Sequence, residues 1–213
     1  SWTYHGANRL GANSLLSASV DGWFTLPFTV PNYLADHLGE EKLAEDSREA
    51  QDVVAAVTDR IERIMSINGP DPHGPEYFHE KLGDILYEHC GVSRTVEGLE
   101  EGIKKIRALR DDFWTNINIP GSPNDMNQTL EAALRLVDYI NLGELMCVDA
   151  LDRDESCGAH YRMDHLTDDG EAERDDDNWC FVSAWEPAGD GQFLRHAEPL
   201  YFDSIPLMAR NYK

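Results

Sequence analysis

From residue 41 to residue 153 the apolar positions recur with a helical period, and breaks in that rhythm divide the segment into four predicted helices. Val54, Val57, Ile61, Ile64 and Met65 fall at i, i+3, i+7, i+10 and i+11, one face of a helix predicted over 41–67. Asn68-Gly69-Pro70 and Pro72 stop it. Pro75 suits the first turn of a second helix, whose face carries Phe78, Leu82, Ile85, Leu86 and His89 and which Gly91 is placed to close. A third face, Leu99, Ile103, Ile106, Arg110 and Phe113, ends before Pro120. The fourth helix is predicted to open at Ser122-Pro123-Asn124-Asp125, a capping hydroxyl followed by a proline and an early acid. It runs through Leu130, Ala133, Leu134, Val137, Ile140, Leu145 and Val148 to about Arg153.

Helices apolar on one face must bury that face, and connections this short favour antiparallel neighbours. The expected fold is mainly α: an antiparallel three- or four-helix bundle, spectrin-repeat-like, over 39–153. The flanks differ. Residues 1–38 are the least polar stretch, with Gly6, Gly11, Gly22, Pro27 and Pro31, and a short helix is expected over 14–25. Charge rises abruptly at Glu40-Glu41-Lys42, which places a boundary near residue 39. After Arg153 the helical rhythm ends. Residues 168–177 hold seven acids opposed only by Arg174, a pattern that reads as a solvated loop. Trp179 to Trp185 has strand composition, and Leu200-Tyr201-Phe202 is its expected partner, so 154–213 is predicted as loop, hairpin and extended end. There is no internal repeat.

Composition narrows the function classes. Eighteen basic against forty acidic residues give a formal charge of -22, which repels nucleic acid and anionic membrane surfaces. No apolar run approaches the roughly 18 residues of a membrane span. The opening Ser1-Trp2-Thr3-Tyr4-His5-Gly6 has neither a basic nor an apolar leader region and no initiator Met, so a piece of a longer protein is expected. The cysteines at 90, 147, 157 and 180 form no C-x-x-C pair, which argues against a zinc ribbon or an iron–sulfur ligand run and for reduced thiols.

Three places could carry chemistry. In His5-Gly6-Ala7-Asn8-Arg9-Leu10-Gly11-Ala12-Asn13-Ser14-Leu15-Leu16 the glycines let a backbone approach a ligand closely. Arg9 offers a planar fork for a carboxylate. Asn13 and Ser14 stand where a helix N-terminus would favour an anion or a polar cofactor edge. Composition alone also allows a plain glycine-rich turn there. Cys157 near His160 could suggest a thiol nucleophile, but neighbours in sequence do not establish a thiol–base bond. The acids at 168–177 lack the alternating order of a calcium loop, and the eight histidines show no pair at metal-ligand spacing.

HGANRLGANSLL is similar, nearly letter for letter, to the HGANRLG-x-NSLL segment of succinate dehydrogenase and fumarate reductase flavoproteins. Arg153-Asp154-Glu155-Ser156-Cys157-Gly158-Ala159-His160-Tyr161-Arg162 resembles that family's R-x-ES-R-GAH-x-R, with Cys157 where arginine is frequent. Arg174-Asp175-Asp176-Asp177-Asn178-Trp179 resembles its RDD-x-NW. Ser17-Ala18-Ser19 departs from a more aliphatic pattern. The three segments stand in the family's order, and the likeness spans residues 1 to about 185.

The resemblance implies a C-terminal part of the flavoprotein, with 1–38 a remnant of the FAD-binding domain, 39–153 the helical domain and 154–213 the tail. It implies that Arg9 binds a carboxylate of the dicarboxylate substrate, that Ser14 and Leu15 contact the flavin ring region, and that Glu155, Ser156, Gly158, His160 and Arg162 brace the C-terminal region against the flavin domain. For the longer parent it implies oxidation of succinate to fumarate, or the reverse, with FAD, electrons passing through an iron–sulfur subunit to or from quinone. It further implies membrane anchor subunits as indirect partners and a peripheral place on the cytoplasmic side of a bacterial inner membrane. The dinucleotide fingerprint G-x-G-x-x-G is missing from these 213 residues. FAD is therefore expected in the parent and not on this piece alone, which is expected to be inactive. Two alternatives stand beside this reading: a piece of an L-aspartate oxidase, and a non-catalytic acidic helical interaction module.

Overall fold

The computed structural model describes residues 12–40, 42–189 and 191–208. The chain divides into two compact units, Ser1–Val57 and Thr58–Lys213.

In the first unit α1 (Asn13–Val20) continues through a π-helical turn (Asp21–Thr25) into α2 (Leu26–Leu34) and a 3-10 turn (Ala35–His37). Helix thus persists beyond the expected 14–25. Pro27 sits in the first turn of α2, where its missing N–H is harmless; Pro31 lies inside and forgoes one bond without ending the helix. None of these four elements buries a residue, and Trp23, Phe24, Phe28 and Tyr33 are all exposed.

α3 (Arg48–Met65) starts later than the predicted residue 41, because the Ser47 hydroxyl accepts from the Ala50 amide at 3.3 Å and sets the first turn. Its apolar face divides: Val54 and Val57 are exposed, whereas Ile64 is buried and Ile61 and Met65 pack on the core of the second unit.

That core lies among α4 (Pro75–His89), α5 (Val96–Asn116) and α6 (Gln128–Asp152), which contact one another pairwise as an antiparallel three-helix bundle. Phe78, Leu82, Leu99, Ile106, Phe113, Leu136 and Ile140 fill it, with the Phe78 and Phe113 rings edge to face at 5.3 Å. Thr95 caps α5 through a bond from the Gly98 amide at 3.0 Å. α6 opens at Gln128 and not at Ser122. Asn127 accepts from the Leu130 amide at 3.0 Å and donates to the Pro120 carbonyl at 2.9 Å, while the Ser122 hydroxyl closes only a local turn on Asn124. The intervening Gly121 has φ +96°, which no helix accommodates.

Two small sheets complete the unit. β1 (Ser93–Arg94) pairs in parallel with β2 (Tyr161–Arg162), so the α4–α5 connection reaches the segment after α6. After the short α7 (Asp176–Trp179), β3 (Phe181–Gly189) pairs antiparallel with β4 (Gln192–Pro199), Trp185 opposite Arg195. The partner of β3 is therefore not Leu200–Phe202. Gly189 and Gly191, at φ +83° and +70°, flank the turn. Leu200 only extends the ladder, its amide donating to the Cys180 carbonyl at 3.1 Å. Trp185 donates its indole N–H to Asp149 at 2.6 Å and Arg195 pairs with Asp152 at 3.2 Å, which pins the hairpin to α6. Among the described residues no helix is long and apolar enough to cross a membrane.

Candidate functional site

Arg9 and the segment His5–Gly11 lie outside the described residues. Ser14 and Leu15, the other two positions expected at a ligand, stand in the first turn of α1. Its N-cap is Ala12, which has no side chain able to accept from the first-turn amides, and Leu15 is 69% exposed.

The second and third motifs meet. The chain leaves α6 at Arg153, whose guanidinium donates to Glu155 at 2.7 Å and to the carbonyls of Trp179 and Phe181 at 3.1 and 2.9 Å. It also stacks over both aromatic rings, 5.4 and 5.3 Å from their centroids. Glu155 is buried, and its second oxygen accepts from the Asp175 amide at 2.9 Å. A buried carboxylate held by a guanidinium and an amide is satisfied on both oxygens. Asp175 in turn caps α7 by accepting from Asn178, and Arg174 grips Asp176 with two bonds of 2.8 and 2.5 Å. At least two acids of the run read as a solvated loop thus hold structure.

Arg162 is 1% exposed and closes the end of α6. It donates to the carbonyls of Ala150, Leu151 and Arg153 at 3.4, 3.4 and 3.3 Å, where helix C-terminal oxygens favour a cation. Its other edge is bidentate to Asp164 at 2.9 and 2.7 Å, and Asp154 accepts at 3.2 Å. The Ser156 hydroxyl accepts from the Arg162 amide and donates to its carbonyl. Asp154, Asp164 and His165 bring their ligand atoms within 4.8 Å of one another, a convergence that the spacing of the histidines did not suggest. Both carboxylates are paired with Arg162, and His165 bonds to Asp154 at 2.8 Å, so the cluster reads as an ion-pair network.

His160 Nδ1 accepts from Arg94 at 2.7 Å, so its Nε2 carries the proton and donates to the Arg153 carbonyl at 2.9 Å. Burial holds its pKa below the ordinary histidine value against the bond to the Arg153 carbonyl, which raises it, and the charges of Arg94, Arg162 and Arg153 push it down further. Both ring nitrogens are committed, so His160 is no base for Cys157. The Cys157 thiol is itself pushed up by burial and by Glu155. The pair is the two ends of a tight turn, Cys157 and His160 exchanging backbone bonds of 2.8 and 3.1 Å around Gly158 at φ +61°. The knot of Arg153, Glu155, Ser156, His160, Arg162 and Asp175 thus ties the end of α6 to the segment that leads into α7. Arg94 belongs to it too, and nothing in its local sequence marked it, because β1 brings it there. Glu144, buried and paired with Arg107 and Arg110, was also missed; a charge at a position between buried Ile140 and Cys147 was the available signal.

Comparison with known proteins agrees with this arrangement. Residues 79–212 match the family model described as fumarate reductase flavoprotein C-term. The chain is 32% identical to the fumarate reductase flavoprotein subunit of Escherichia coli over 98% of its own length and 32% of that protein's. It is 33% identical to the succinate dehydrogenase flavoprotein subunit of Bacillus subtilis, over 84% and 28%. A solved quinol–fumarate reductase with menaquinol molecules superposes with TM-score 0.76 at 27% identity, covering 95% of this chain and 33% of that one. The chain belongs to the fumarate reductase and succinate dehydrogenase flavoprotein family, in its C-terminal part, and spans about a third of the length of the curated relatives it matches. Membership displaces the reading of an unrelated acidic helical module.

Proposed function

We propose that the chain is the C-terminal third of a flavoprotein subunit that interconverts succinate and fumarate, and that its Arg9 binds a carboxylate of the dicarboxylate. The observation that carries this is the joint one: two separate family segments, 153–162 and 174–179, fold into a single brace at the end of α6, in a chain alignable over 98% of its length with a fumarate reductase subunit. FAD, when bound in the longer parent, supplies the two-electron acceptor. Ser14 and Leu15 in the first turn of α1 would meet the ring, while Arg9 would orient the substrate and offset its charge. The division into a remnant of the FAD-binding domain (1–38), helical domain (39–153) and tail (154–213) belongs to the same reading. So do an iron–sulfur subunit and membrane anchor as partners, a peripheral place on the cytoplasmic side of the inner membrane, and inactivity of the piece alone.

Arg9→Ala in the intact parent tests it. Losing a charged bidentate contact costs about 2–5 kcal/mol, so KM for succinate and fumarate should rise roughly 30-fold or more while flavin content stays the same. Unchanged kinetics would remove Arg9 from the site. Turnover of aspartate in place of succinate would assign the parent to the aspartate oxidases. The purified 213-residue chain should be colourless, and near-stoichiometric flavin absorption would contradict the assignment of FAD binding to the parent alone.

A further inference from the structure

Asn68 stands just past the end of α3 and is the one asparagine of the chain that a glycine follows. Residues 67–69 belong to no helix or strand, and Asn68 is exposed. Among the described residues no hydrogen bond engages the Asn68 side chain or the Gly69 amide. Glycine carries no Cβ beside its nitrogen, so that amide is open to approach, and Pro70 keeps Gly69 extended.

Both sides of this short stretch are fixed. Upstream, Ile64 is buried and Met65 and Ile67 pack on the core. Ser66 closes the last turn of α3, its amide and hydroxyl bonding to the Arg63 carbonyl at 3.3 and 2.8 Å. Downstream, the Asp71 amide donates to Asn116 Oδ1 at 3.3 Å. The His73 amide donates to the Asn116 carbonyl at 2.9 Å, and the Asn118 amide to the His73 carbonyl at 2.8 Å. A Cβ at Gly69 would collide with Asn116 Oδ1 and the Thr115 carbonyl, so the Gly69 backbone is seated on the end of α5.

We propose that Asn68 is a self-modifying site: the Gly69 amide nitrogen displaces ammonia from the Asn68 side chain, and the isoaspartyl product, longer by one backbone carbon, loosens the last turn of α3 from the core. The Gly69 nitrogen gives its proton to hydroxide and attacks the Asn68 side-chain carbonyl carbon. The new N–C bond closes a cyclic imide, the bond to the side-chain nitrogen breaks, and that nitrogen leaves as ammonia after taking a proton from water. Water then opens the ring. Opening at the original side-chain carbonyl leaves aspartate, and opening at the main-chain carbonyl leaves isoaspartate. One water is consumed, one ammonia is released, and no electrons are transferred. Two other asparagines are internal controls. Asn116 is held at both ends of its amide, donating to Asp112 at 2.6 Å and accepting from Asp71, and the β-branched Ile117 follows it. Asn124 is exposed as Asn68 is, but Asp125 follows it and sets a Cβ beside the nitrogen.

Trypsin cleaving after Arg63 and Lys81 releases residues 64–81, in which Asn68 is the only side-chain amide. The folded 213-residue chain is aged at mildly alkaline pH, and a fresh sample goes through the same digestion. The aged peptide should be heavier by the difference between an amide and an acid. It should also accept a methyl group from S-adenosylmethionine and protein isoaspartyl methyltransferase. Asp71 in the same peptide gives neither signal, because Pro72 has no amide proton to lose and no ammonia would leave. In Asn68→Gln, at an exposed position without bonds to break, both changes should vanish. The aged chain should unfold at a lower urea midpoint than Asn68→Asp, which carries the same charge on a backbone of normal length. An unaltered 64–81 peptide, or an Asn124 peptide that shifts ahead of it, would overturn the modification. A midpoint equal to that of Asn68→Asp, in material shown to hold the isoaspartyl peptide, would overturn its effect on α3.

Discussion

Glu144 is 1% exposed in the middle of α6 and is held by Arg107 Nε at 2.7 Å and by Arg110 Nη2. Its partners are wetter: the Arg107 and Arg110 side chains are 52% and 25% exposed. The two sides of this ion pair should therefore respond unequally to truncation. In Glu144→Leu the guanidiniums can turn to water and an apolar side chain of similar volume fills the site. The cost should be within about 1 kcal/mol of zero, since burying the carboxylate consumed most of what pairing returned. In Arg107→Ala/Arg110→Ala the carboxylate stays buried with no counter-charge, at about 3–5 kcal/mol. For a domain of this size each kcal/mol moves Tm by about 2–4 °C, so the double variant should melt about 6–20 °C low and Glu144→Leu within about 4 °C of the parent. Urea unfolding followed by far-UV circular dichroism gives the same comparison as free energies. Removing the two arginines in the Glu144→Leu background should then cost less than about 1 kcal/mol, which separates charge from lost stem packing. Should Glu144→Leu destabilise as much as the double arginine variant, the pair is net stabilising and the desolvation reasoning fails.

Two further outcomes are expected. The folded state holds His160 below the ordinary value of 6.5, so below that pH the unfolded chain binds the extra proton, and stability present above 6.5 is lost as pH falls through the folded pKa. His160→Gln can keep both bonds without titrating; the stability difference between parent and variant should shrink as pH falls from 7 to 5, and a pH-independent difference would exclude His160 as the titrating group. Gly83 of α4 and Gly102 of α5 are both mid-helix, but a Cβ at Gly83 meets nothing within 4 Å whereas one at Gly102 meets His89 Cβ at 2.9 Å. Gly83→Ala should gain about 0.5–1 kcal/mol of helix propensity, and at Gly102→Ala overpacking of about 1–3 kcal/mol should cancel or reverse that gain, read as a raised urea midpoint for the first and an unchanged or lowered one for the second.

Local chemistry settled a good deal before any tertiary contact. The 3.6-residue spacing of Phe78, Leu82, Leu99, Ile106, Phe113, Leu130 and Ile140 commits those stretches to helix, because only that period gathers them on one face. Three short segments, beginning at His5, Arg153 and Arg174, carried the family likeness by residue identity alone. Other features depended on partners distant in the chain. Whether Val54 and Ile64, one periodic face, are bare or buried turns on where α3 meets the bundle. The start of α6 was decided by competition between two plausible caps, won by Asn127 once Gly121 had turned the chain. Arg94 joins His160 across a separation that no local pattern encodes, because their meeting follows from the pairing of β1 with β2. The sequence by itself determines which residues must hide and which chemical groups are present. Only the packed structure determines which of those groups face one another, since that depends on the close approach of whole helices at positions such as Gly102 and not on any residue's own preference.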